Sequence, residues 1–157
     1  MPYYGMGTKT MSARRREFVS QFSVFTANRM GRLHDLIALL DSHQIHVLAL
    51  MVLDTTDTAI IRFVTDDPEK TRALLGHNQF SFTESELLAV EVDSATVLSG
   101  LMAALLEAEV NINYLYSFIP QPNGKSLLAL SMEDNELAEH ILESHQFKVL
   151  RQRDLSR

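Results

Sequence analysis

The chain has 157 residues, 46% of them hydrophobic and 22% charged, the composition of a globular protein rather than a disordered or fibrous one. No apolar stretch approaches the roughly 20 residues that span a bilayer, and without cysteine there are neither disulfides nor thiolate metal sites. Formal net charge is −6, but residues 1–16 hold Lys9, Arg14, Arg15 and Arg16 and no acid, leaving 10 basic against 20 acidic residues beyond them. A body so acidic is a poor polyanion binder, because neutralising phosphates takes clustered cations.

Residues 1–17 read as a disordered basic tail, with glycines, no apolar periodicity and no apolar run like that of a secretory signal. The stretch EFVSQFSVFT (17–26) predicts a strand and 31–43 a helix, whose Leu33, Leu36, Ile37 and Leu40 make one apolar stripe. HVLALMVLD (46–54) and TAIIRFVTD (58–66) predict a hairpin turning at 55–57. A helix follows over 68–76, with Asp67 as its N-cap before Pro68, and FSFTE (80–84) closes the set as a strand. Then the order begins again. ELLAVEV (86–92) predicts a strand, 96–109 a helix capped by Thr96, and INYLYSFI (112–119) with KSLLALSM (125–132) a hairpin at Asn123-Gly124. The last elements are a helix over 135–145 and the strand KVLRQR (148–153).

The two halves superimpose residue by residue. An offset of 65 carries the first helix stripe onto Leu98, Leu101, Met102 and Leu105, Asn28 onto Asp93 and Ile45 onto Val110. Beyond the hairpin turn the offset becomes 67 and carries Phe63 onto Leu130, Asp67 onto Asp134 and Phe80 onto Phe147. One slip, placed in a turn, is how a duplicated structure accommodates an insertion. Each copy therefore predicts an α+β, ferredoxin-like βαββαβ unit, an antiparallel four-stranded sheet with both helices on one face. The units span 18–84 and 86–153, with Ser85 and Glu86 at the junction.

The joint between first strand and first helix reads 28-NRMGRL-33. A helix start offers unpaired N–H groups and partial positive charge to a carboxylate, and Gly31 can take a positive φ with no Cβ in a ligand's way. The side chain of Asn28 has an oxygen for an ammonium and an NH2 for a carboxylate, so the joint suits a zwitterion.

The duplicated βαββαβ order with an Asn-x-x-Gly-x-Leu joint resembles the ACT domain, a regulatory module that binds amino acids in many metabolic enzymes. The likeness covers 18–153 in two copies, with Met30 where the family usually has proline. In the second copy Asp93 is kept while Ala95 and Thr96 replace Pro-Gly, which marks a degenerate joint. The resemblance implies that the units pair edge to edge into a continuous eight-stranded sheet. It also implies a ligand between one unit's joint and the second strand of the other. The first site then comprises Asn28, Arg29, Met30, Gly31, Arg32 and Leu33 against Asn111, Ile112 and Asn113. The second, degenerate site comprises Asp93, Ala95, Thr96 and Leu98 against His46 and Val47. Met51 and Tyr114 are further candidates to line the pocket.

The function implied is a non-catalytic amino-acid sensor: cytoplasmic, homodimeric, without cofactor or metal, and read by a metabolic enzyme or a transporter. It has no nucleic-acid or membrane partner in this reading. Two alternatives stand beside it. A purely structural dimerisation module needs only the fold, and RRM domains share the element order. The third strands TAIIRFVT and KSLLALSM lack the Lys/Arg-Gly-aromatic pattern of an RRM, however. No HExxH, nucleophile elbow or P-loop points to an enzyme.

Overall fold

The structure, a computed structural model, describes residues 18–27, 31–120 and 124–156. The expected basic tail, Asn28, Arg29 and Met30 of the first joint, and Asn123 of the second hairpin turn lie outside them. The first half runs β1 (Val19–Ala27), α1 (Arg32–Ser42), β2 (Val47–Asp54), β3 (Thr58–Thr65) and α2 (Pro68–His77). Next come β4 (Ser81–Glu91), α3 (Ala95–Glu107), β5 (Ile112–Ser117), β6 (Leu127–Met132), α4 (Asn135–Ser144), β7 (Val149–Leu150) and α5 (Gln152–Leu155).

The repeat is written into the backbone as well as the sequence. The Asp67 carboxylate accepts from the Lys70 N–H and caps α2; Asp134, 67 residues on, accepts from the Leu137 N–H and caps α4. Among the described residues, the positive-φ residues other than glycine are Gln44, Gln79, Glu109 and Gln146, one just past each of the four long helices. Gln44 and Glu109 are 65 apart, Gln79 and Gln146 67 apart. At the first pair the second copy keeps the left-handed turn with Glu in place of Gln, and at the second it keeps the glutamine as well. The cap of α3 differs from expectation. Ser94, not Thr96, accepts from the Val97 N–H, so the helix opens at Ala95.

The strands form one antiparallel sheet in the order β2-β3-β1-β4-β6-β5, with β7 also on β4. It has seven strands rather than the expected eight, because the last strand of the first unit and the first of the second are one strand. Residues 81–87 of β4 pair with β1, and 88–91 pair with β6. Ser85 and Glu86 are mid-strand. The expected strand 148–153 is also shorter. It ends at Leu150, and Arg151 opens α5, whose Asp154 carboxylate accepts from the Arg151 N–H.

The sheet curls until its two edge strands meet. Ala49 of β2 bridges Phe118, and the Ile119 N–H donates to the Leu48 carbonyl at 2.7 Å. Three cores result. Phe22, Phe63, Leu36, Leu40 and Leu75 pack α1 and α2 on the outer face of the first half. Leu88, Leu101, Leu105, Leu130 and Leu142 do the same for α3 and α4 in the second. Inside the curl the halves share a core that joins Val19, Ala49 and Val64 to Ala89, Tyr116 and Phe118. The alternation of Tyr114, Tyr116 and Phe118 turns all three to this inner face.

Beside that apolar core lies a polar cluster. Gln21 of β1 is 1% exposed; its amide NH2 donates to the Tyr114 hydroxyl at 2.7 Å and to Ser85 at 3.1 Å, and its oxygen accepts from the Tyr116 hydroxyl. The Arg62 guanidinium stacks 4.4 Å from the centre of the Tyr114 ring. Burial, and secondarily Tyr114, pushes the Tyr116 phenol well above its usual value against the pull of Arg62.

Candidate functional site

The entry to the second strand of each unit carries a matched polar pair. His46 sits just before β2, with its Nδ1 2.7 Å from a carboxylate oxygen of Asp66, while its backbone N–H donates to the other oxygen. Asp66 is 7% exposed, so the pair is anchored from the protein side. At the equivalent place before β5, Asn111 donates to the Glu133 carboxylate at 2.9 Å. The repeat offsets map His46 onto Asn111 and Asp66 onto Glu133, so both copies hold the strand entry by a side chain at the end of the neighbouring strand.

The described part of the first joint is Gly31, Arg32 and Leu33. Gly31 has φ 97° and is the N-cap of α1, as its type suggests. The Arg32 guanidinium is engaged locally, donating to Thr26 at 3.2 Å and lying 5.4 Å from the Phe80 ring centre. Leu33 and its counterpart Leu98 are 36% and 37% exposed, so each stripe begins at the surface and turns inward a helical turn later. Asn111 lines a cavity of about 620 Å³ with Phe18, Glu86, Glu133 and Asn135, and none of Gly31, Arg32 and Leu33 lines it. Ile112 packs against the core of the second half, and Asn113 is exposed.

The second joint has more around it. A cavity of about 710 Å³ opens where the two units meet. The first unit supplies α1 through Ile37 and Asp41, and the strand entry through His46 and Val47. The second unit supplies Glu91 at the end of β4, Phe118 and Ile119 after β5, Lys125 before β6, and Leu155 from α5. A neighbouring cavity of about 720 Å³ is lined by Asp93 and Val97 and shares Glu91, Gly124, Lys125 and Lys148 with the first. Ala95, Thr96 and Leu98 of the expected second site line neither.

A ridge of charge separates the two hollows. The Glu91 carboxylate lies 3.1 Å from the Lys125 Nζ and 3.8 Å from the Lys148 Nζ. Two ammonium groups on one carboxylate leave the ridge with positive charge in excess, while Asp41, Asp66 and Asp154 bring negative charge to the same cavity. Such an arrangement can receive a carboxylate at one place and an ammonium at another. Among the described residues no group of three or more His, Asp or Glu is placed to hold a metal, and no described helix is long and apolar enough to cross a membrane.

Of the residues expected from the sequence, His46 and Val47 line the larger hollow and Asp93 the smaller, while Lys125, Lys148, Glu91 and α5 were not among those expected. Lys125 precedes β6 and Lys148 precedes β7, far apart in sequence; only the flanking of β4 by both strands brings them to Glu91. The internal repeat was no guide either, since the offset of 67 maps Lys125 onto Thr58 and Lys148 onto Ser81.

The fold is shared with solved structures. Protein BT0572 from Bacteroides thetaiotaomicron superimposes with a TM-score of 0.81 over 90% of this chain and 97% of its own, at 23% identity. The regulatory subunit of aspartate kinase from Thermus thermophilus, in a ligand-free form, gives 0.60 over 83% and 92% at 12% identity. That of Thermus flavus gives 0.56 over 82% and 92% at 13% identity. Among curated proteins, none matches the chain. The family model described as an ACT domain pair matches residues 18–157, in keeping with the two fused βαββαβ halves of the fold, and the chain accordingly belongs to the ACT domain family.

Proposed function

We propose that the protein is a non-catalytic regulator that binds a free amino acid between its two ACT units, in the cavity where the entry to β2 meets the end of β4. One observation carries this reading: a cavity of about 710 Å³ that draws walls from both units and charges of both signs. That volume lies within the roughly 300–1,000 Å³ of small-molecule sites. Lys125 and Lys148 receive the carboxylate, and Asp41 and Asp66 with His46 lie toward the ammonium. Because the walls belong to different units, a ligand favours the relative packing in which both reach it. A metabolic enzyme or a transporter then reads that packing. The solved structures of like fold include two named as the regulatory subunit of aspartate kinase, which supports a regulatory role.

The repeat implies the same arrangement at the first joint, with 28–33 set against 111–113, and we extend the proposal to it as a second place for ligand. A homodimer in the cytoplasm remains part of the reading. The test is a thermal-shift screen of the full chain against the twenty amino acids, since a native-state ligand stabilises by RT ln(1 + [L]/Kd). At least one amino acid should raise the midpoint, and Lys148→Glu should blunt the rise. If none does, the protein is a structural module and the sensor reading fails.

A further inference from the structure

We infer that the ligand of this cavity is an amino acid with a bulky apolar side chain, branched aliphatic or aromatic, rather than a small or charged one. The inference rests on the sensor reading above and adds its specificity. The charges and the apolar walls of the cavity come from different pieces of chain. Both lysines are gathered on Glu91 at the end of β4. The apolar surface comes from Ile37 and Val47 of the first unit and Phe118, Ile119, Leu127 and Leu155 of the second.

Several of these walls are already packed. Phe118 is 8% exposed, and Leu127 and Leu155 sit against the shared core. Ile119 is not. The residue is 47% exposed although its N–H is fixed to the Leu48 carbonyl, so the backbone holds an uncovered isoleucine at the rim. A ligand carrying only polar atoms beyond its α-carbon would leave that surface wet and would lose its own hydration against Val47 and Leu127. A leucine-like or phenylalanine-like side chain covers it, and covering apolar surface is where affinity is gained. α5 is part of the same wall. The Gln152 amide takes the Ser20 N–H at 2.9 Å and donates to the Thr65 carbonyl at 3.2 Å, so Leu155 is held against the first unit and keeps the cavity closed on that side.

The test is calorimetric titration of the full chain with leucine, phenylalanine, glycine, serine and aspartate, repeated on Ile119→Asp. Ile119 is half exposed and its backbone bond survives substitution, so the variant should fold, with circular dichroism as the check. Leucine or phenylalanine should bind the wild type roughly thirtyfold more tightly than glycine, the transfer free energy of a few buried carbons. Ile119→Asp should remove that preference. If glycine, serine or aspartate binds as tightly as leucine, the specificity inference is overturned while the sensor reading stands. If leucine is preferred but Ile119→Asp leaves it so, the apolar contact is elsewhere and the inference falls. If none of the five binds, the specificity inference falls, and the screen against all twenty decides whether the sensor reading falls with it.

Discussion

Gln152→Leu tests whether α5 holds the two halves together. The β1–β3 ladder begins at Phe22 opposite Phe63, so Ser20 and Thr65 lie beyond its last rung. The Gln152 side chain fills the gap: its oxygen accepts from Ser20 and its NH2 donates to Thr65, which is fully buried. Leucine keeps the bulk and removes both bonds, together with a third, to the Ser156 hydroxyl at 3.0 Å. Leaving a buried backbone group unsatisfied costs about 1–3 kcal/mol. Ser20 is partly accessible and can recruit water, so the sum should be about 2 kcal/mol, mostly from the Thr65 carbonyl. For a chain of this size that lowers the thermal midpoint by roughly 4–8 °C. Urea unfolding measures the stability, and amide exchange at Ser20 gives the local readout, which should speed up more than exchange at Phe22. A loss under about 0.5 kcal/mol, the size of an ordinary surface change, would refute the reasoning. So would unchanged exchange at Ser20.

Three further outcomes are expected. Gly31→Val puts a β-branched residue at φ 97°, for a loss of about 1–2 kcal/mol from backbone strain alone, since an added Cβ meets no described atom within 4 Å. Urea titration with and without ligand checks it, and unchanged ligand affinity would remove the first joint from the site. Tyr116→Phe strands the Gln21 oxygen inside the curl and should cost about 1–3 kcal/mol. Because the folded Tyr116 pKa is raised, its contribution is complete below the unfolded value of about 10 and is lost as pH climbs above it. Alkaline unfolding followed by phenol absorbance should therefore move to higher pH in Tyr116→Phe relative to its own neutral-pH stability. Asp67→Ala and Asp134→Ala each remove an N-cap bond, for about 1 kcal/mol apiece, and the two losses should add in the double variant.

The duplication was legible because it repeats in kind: apolar stripes at 0, 3, 4 and 7, aspartate caps, and turns. The fusion of two strands into β4 was not. Ser85 and Glu86 look like a polar junction, yet a polar residue in a strand needs only a partner on its own face. Ser85 finds Gln21 inside the curl, and Glu84 pairs with Arg72 of α2 outside. The end of β7 was hidden for a related reason, since V-L-R-Q-R suits either a strand or a helix start until the Arg151–Asp154 bond decides it. Of the residues lining the proposed cavity, the strand entry at His46 was reachable through the family resemblance, whereas the lysine ridge is made by tertiary pairing and leaves no spacing to read. The expectation that the second joint is degenerate was drawn from Ala95 and Thr96, whereas the charges beside it come from Glu91, Lys125 and Lys148.

The single strand Ser81–Glu91 serves both halves, with one end hydrogen-bonded into each. It acts as a torsion bar. Neither half can slide past its twin or swing away on a tether; the cheap motion left is a twist of the bar itself. A molecule wedged between the halves would therefore speak to the rest of the protein as a change of angle rather than of distance.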